Sequence, residues 1–169
     1  MLAVTHLVAC LVLIYVLNLD RNDAFVGLLF GFFIDVDHLF GLHGYVKANG
    51  LFSLVDFDGL MSADGHWKSL FHNPVAVMVV GPLSVASKLA LPLLFWAVHV
   101  GMDYVEDTFL GVFSFPEAIL LTLMSLGLVT VRYSKHLELH PDATLWQYMA
   151  AEWRRLGAAV RGRPAPVLA

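Results

Sequence analysis

The sequence predicts an all-α protein: a polytopic membrane helix bundle of about five apolar helices, two of them short, followed by a C-terminal amphipathic helix at the membrane interface. Three observations lead there. Hydrophobic residues make up 59% of the 169 residues and charged ones only 14%, against roughly 25% charged in an average soluble domain. Mean hydropathy is +0.73, more apolar surface than one domain of this length can bury in its own core, and lipid is the natural solvent for the excess. The apolar runs are separated by polar turns, and the last helical stretch carries its apolar residues on a single stripe. Residues 1–135 are therefore assigned to the membrane bundle and 136–169 to a cytoplasmic tail.

The first run, 2–19, is about long enough to cross a bilayer as a helix. No basic segment precedes it and no small-residue cleavage site falls before Asp20, so it reads as a retained span. Asp20-Arg-Asn-Asp23 is a tight polar turn. A second span, 24–42, carries Asp35, Asp37 and His38 in its last turns. Residues 43–73 form a polar loop rich in glycine and aspartate, and a loop of this length is more often functional than passive. The next apolar stretch, 74–102, is too long for one perpendicular crossing, and Gly81-Pro82, Ser84, Ser87-Lys88 and Pro92 predict a break. Two short helices, about 70–86 and 89–104, then form a hairpin with Lys88 at the bend. A last span covers about 115–131. In the tail, Leu145, Trp146, Met149, Trp153, Leu156 and Val160 make one helical stripe, with Arg154 and Arg155 beside it. That pattern suits a helix lying on a membrane surface, or a cap over a bundle.

The single cysteine, Cys10, lies in the first apolar run. An intrachain disulfide is excluded, and the residue reads as a small buried hydrophobe. A net charge of −4 leaves no basic footprint for nucleic acid.

Ionisable groups inside membrane spans are expensive, so each is a functional candidate. His6 lies near the start of the first span. Asp35, Asp37 and His38 lie near the end of the second, His66 and His72 precede the third helix, and His99 and Asp103 end the fourth. His99 and Asp103 are spaced i, i+4 and Asp35 and His38 i, i+3, so each pair shares a helix face. A histidine and a carboxylate on one face suit a divalent metal such as zinc. The hairpin at Lys88 gathers all these groups at one end of the bundle; an unbroken 74–102 helix would scatter them. His136 and His140 share the i, i+4 spacing but lie among charges beyond the last span, where a solvated face is expected. Arg21, Lys88, Arg132, Lys135, Arg154, Arg155, Arg161 and Arg163 fall on the opposite side from Lys47 and Lys68. By the positive-inside rule the tail is cytoplasmic and the cluster faces outward.

The motifs Thr5-His6, Asp35-Val-Asp37-His38, Trp67-Lys-Ser-Leu-Phe-His72 and His99-x-x-x-Asp103 resemble, in order and placement, the prokaryotic membrane-bound metal-dependent hydrolases, also described as LexA-binding inner-membrane hydrolases. The resemblance covers roughly residues 1–104. Trp67-Lys68 stands where the family has His-Arg, and Ile34 where it has proline. That family is remotely similar to the zinc-dependent phospholipase C and P1 nuclease group. The resemblance implies one to three zinc ions, or another divalent metal, held by His6, Asp35, His38, His72, His99 and Asp103. With these ligands, Asp37 is read as a further or orienting carboxylate, His66 as the general acid–base candidate and Lys68 as a phosphate contact. The expected activity is hydrolysis of a lipid or other phosphoester at the surface of the inner membrane, with membrane lipids as surroundings. A metal or proton transporter and a non-catalytic membrane scaffold with a structural polar cluster are the alternatives.

Overall fold

A computed structural model describes residues 3–56, 70–72, 74–111 and 114–161. Among them are seven α-helices and no strand: α1 (Ala3–Val16), α2 (Arg21–Gly31), α3 (His38–Asn49), α4 (Val77–Val85), α5 (Leu91–Val105), α6 (Phe115–Leu139) and α7 (Leu145–Val160). Short 3-10 turns at Phe33–Asp37, Leu51–Val55, Leu70–His72, Pro74–Ala76 and Lys88–Ala90 join them, and a π-helical turn, Glu106–Leu110, extends α5. The chain divides into two compact units, residues 1–125 and 126–169.

The first unit is organised around α5. Leu91, Phe95 and His99 repeat every four residues and are buried, with Pro92 and Trp96 beside them. Phe95 packs with Cys10, Ile14 and Leu91 on one side, while Trp96 packs with Ile34, Ala76 and Val80 on the other. Helix α2 approaches α5 closely because Gly27 and Gly31 face it one turn apart. A Cβ at Gly27 would lie 2.7 Å from the Phe95 ring, and one at Gly31 would lie 2.5 Å from Cys10 Sγ. Glycines one turn apart let the two helix backbones approach this closely, so that van der Waals contact is gained along both.

The break between α4 and α5 falls where the sequence predicts it. Leu89 and Ala90 adopt left-handed backbone angles, which ends any continuous helix there. Ser84 fastens the hairpin. Its hydroxyl donates to the Val80 carbonyl (2.8 Å) and accepts the Leu93 N–H (2.8 Å), one of the donors that the start of a helix leaves without an intrahelical partner. Lys88 Nζ lies 3.8 Å from Asp23 at the same end. Asp20 caps α2 by accepting the N–H groups of Asn22 and Asp23, and these bonds hold its carboxyl below the ordinary range.

Two expectations need correction, and a third is met only in part. The 24–42 span is not one helix: α2 stops at Gly31 and a 3-10 turn carries Asp35 away from the α2 axis. The 43–73 segment is not a loop throughout, since α3 runs to Asn49 and another turn follows. The chain is all-helical among the described residues, but five spans are not established: among those residues two helical stretches, Lys88–Leu110 and Phe115–Leu139, are long and apolar enough to cross a membrane. Helix α1, with 14 residues, extends only about 21 Å at 1.5 Å per residue, short of a roughly 30 Å hydrocarbon core. Within the chain, 28% of the apolar window of the first stretch and 6% of the second are buried.

In the second unit, α7 carries a reciprocal cap. The Gln147 N–H bonds to Thr144 Oγ1 and the Thr144 N–H to Gln147 Oε1. Tyr133 donates to the Ala143 carbonyl, and Glu152 pairs with Arg132 and Arg155.

Gly27→Val is expected to push against the fully buried Phe95 ring and destabilise the first unit by about 1–3 kcal/mol. Adding Phe95→Leu should recover part of that loss. Denaturant titration in detergent micelles checks both, and additive losses would show that α2 and α5 do not meet there.

Candidate metal centre

One helical turn beyond the Phe95 and Trp96 core, five side chains from four elements converge. His6 comes from α1, Asp35 from the turn after α2, His72 from the turn before α4, and His99 and Asp103 from α5. His99 Nε2 is 3.1 Å from Asp35, 3.3 Å from Asp103 and 2.9 Å from His72 Nε2. His6 Nε2 is 3.2 Å from Asp103, and its Nδ1 is 3.8 Å from Asp35. His72 Nε2 is 3.4 Å from Asp35 and 3.6 Å from Asp103.

Each imidazole is aimed by the fold. His99 Nδ1 lies 3.0 Å from the Gly31 carbonyl, within reach because of the glycine contact between α2 and α5. A carbonyl only accepts, so Nδ1 carries the proton and, in the neutral ring, Nε2 presents its lone pair to the cluster. The His6 ring stacks on His99 with centroids 4.1 Å apart. Trp96 Nε1 donates to the Phe71 carbonyl at 2.7 Å, which pins the turn that ends in His72.

The donor set fits a divalent ion. A lone pair at His99 Nε2 facing two carboxylates and a second imidazole nitrogen is repulsive unless a proton or a cation lies between them. Both nitrogens of His6 are buried and make no hydrogen bond, although carboxylates stand near them. Tetrahedral zinc with bonds of about 2.0–2.1 Å would space its ligand atoms about 3.3 Å apart. The separations given above run from 2.9 to 3.8 Å, and the ligand atoms of each group lie within 4.8 Å of one another. Two overlapping groups can be drawn, His6/Asp35/His99 and His72/His99/Asp103, sharing His99. The imidazoles are buried, whereas the Asp35 and Asp103 side chains remain 22% and 25% exposed and leave the cluster open on the carboxylate side.

Of the expected residues, His6, Asp35, His72, His99 and Asp103 come together. Asp37 closes a 3-10 turn and His38 opens α3, but their side chains lie outside the described residues, as do His66 and Lys68 entirely. His136 and His140 sit in the second unit with ring centroids 4.6 Å apart, beside Tyr148. Cys10 is buried against the α2–α5 contact.

Two buried carboxylates escaped the sequence reading. Glu117, on the first turn of α6, is fully buried and accepts a hydrogen bond from Thr5 Oγ1 (3.2 Å), next to His6. Its own N–H is capped by Ser114. Glu106 is also buried and lies three residues past Asp103, on the face of α5 that carries His99. The available signal was Ser114-x-x-Glu117, a capping box, and the i, i+4, i+7 continuation from His99.

Trp96→Phe is expected to free the Phe71 carbonyl and lower zinc affinity by about 10–100-fold, with helix content by circular dichroism unchanged. Unchanged affinity would show that the His72 turn holds itself. Thr5→Val should cost about 1–3 kcal/mol by withdrawing a donor from a buried carboxylate, and Thr5→Ser should restore it. Comparison with protein-family models, curated proteins and solved structures returns no match to this chain.

Proposed function

We propose that this protein is a membrane-embedded, metal-dependent hydrolase acting on a phosphoester or lipid at the membrane surface. The observation that carries the reading is the convergence of three imidazoles and two carboxylates from four elements. With Nδ1 bound to the Gly31 carbonyl, His99 Nε2 faces Asp35, Asp103 and His72, an arrangement that a divalent cation, or failing that a proton, would satisfy. His6, Asp35, His72, His99 and Asp103 would hold it. Imidazole with carboxylate suits zinc among the common divalent ions. When bound there, such an ion supplies Lewis acidity toward a phosphoryl or carbonyl oxygen and acidifies water.

The chain's own residues divide the remaining work. Three buried imidazoles form a closed floor. The part-exposed carboxylates form a rim where water and substrate can enter, the open side that a catalytic site needs and a structural one lacks. Phe33, Val36 and Tyr104, close in sequence to Asp35 and Asp103, are exposed and would offer apolar surface to an acyl chain. His66 and Lys68 precede His72 by six and four residues and are assigned to proton transfer and phosphate contact respectively. The apolar helices are placed as a bundle in the inner membrane. Arg21 and Lys88 mark the cytoplasmic end of the first unit, and the site faces outward. The motif set resembling membrane-bound metal-dependent hydrolases supports the same reading.

Elemental analysis of the purified protein tests it. Wild type is expected to carry stoichiometric zinc or another divalent metal, and His99→Ala and Asp35→Ala to lose it. Hydrolysis of phospholipids or a fluorogenic phosphoester should fall at least about 100-fold in both variants and on chelation, and return when zinc is added back to wild type. Equal metal content in all three proteins would overturn the ligand assignment and leave a proton-locked scaffold.

A further inference from the structure

The side of α7 that packs inside its unit is not its apolar side. Tyr148, Ala151 and Ala158 are the buried residues of the helix among those described. The large apolar residues point elsewhere: Trp146 is 82% exposed, Trp153 78% and Val160 88%, with Leu145, Met149 and Leu156 between 46% and 59%. At 3.6 residues per turn this stripe is about 100° wide and centred roughly 160° from the buried residues.

Charge indicates what covers the stripe. Residues 144–161 hold Arg154, Arg155 and Arg161 against one acid, Glu152. Glu152 is already engaged by Arg132 and Arg155. Arg154 and Arg161 are exposed, and α7 has no second acid to neutralise them. On a regular helix Arg161 and Arg154 flank one edge of the stripe, and Arg155 lies beyond the other. Two copies meeting stripe to stripe would bring these like charges together. An anionic leaflet instead offers hydrocarbon to the stripe, phosphates to the arginines and an interfacial zone to two indoles.

We propose that α7 is a surface anchor that docks its Trp146/Trp153 stripe into an anionic bilayer leaflet. This rests on the second unit alone and is independent of the metal centre.

Full-length protein in lipid nanodiscs tests it, using brominated phosphatidylcholine with and without phosphatidylglycerol. The fluorescence difference between wild type and Trp146→Phe/Trp153→Phe isolates the two indoles. Shallow bromine is expected to quench that difference about twofold in discs containing the anionic lipid and less in phosphatidylcholine alone. Arg154→Gln/Arg161→Gln should erase the dependence on lipid charge. Iodide accessibility of the wild-type indoles gives a second readout that needs no variant, and protection from iodide should follow the quenching. Indoles open to iodide and untouched by bromine in both lipids would overturn the proposal. So would equal quenching in both lipids, or shielding from bromine found only with two copies per disc.

Discussion

Everything that gathers at the candidate centre depends on one contact, the approach of α2 to α5 at Gly27 and Gly31. With no side chain at either position, the Phe95 ring lies against bare backbone. At that separation the Gly31 carbonyl meets His99 Nδ1. One residue thus serves as a packing surface through what it lacks and as a hydrogen-bond acceptor through its main chain. A larger residue would push the helices apart and release the imidazole together. Cys10 belongs to the same arrangement: its thiol fills the space beside Gly31, a packing role rather than a chemical one.

The sequence made the centre more legible than the fold around it. The i, i+4 spacing of His99 and Asp103 survives because both lie on a regular helix. The break at Lys88 was visible because proline, serine and lysine interrupt an otherwise apolar run. The fate of Asp35 was not visible. Hydropathy is continuous through Phe32 and Phe33, so nothing in the pattern marks where α2 gives way to a tighter turn. That change depends on what packs against Ile34, namely Ala76, Val80 and Trp96, more than forty residues away. The same limit hid Gly27 and Gly31: a small residue signals nothing until its neighbour is known. Glu106 and Glu117 read as ordinary polar flanks of a span, and only tertiary contact shows them buried.

Burial divides the cluster by chemistry. Imidazoles can be neutral and still donate a lone pair, so the fold can sink His6, His72 and His99 into apolar surroundings at modest cost. Burying a charged carboxylate costs more, and the Asp35 and Asp103 side chains keep part of their surface outside. Glu117 departs from this rule and is sunk completely, with Thr5 and a helix N-terminus around it. A helix start favours negative charge, which eases that burial.

The lengths of the helices set a condition on any membrane placement. α1, α2 and α4 have 14, 11 and 9 residues, about 21, 16 and 14 Å, against a hydrocarbon thickness of roughly 30 Å. None of the three reaches across a bilayer by itself, whereas the stretch Lys88–Leu110 has 23 residues. Were the first unit embedded in lipid, its short helices would leave a mismatch that the bilayer meets by thinning locally.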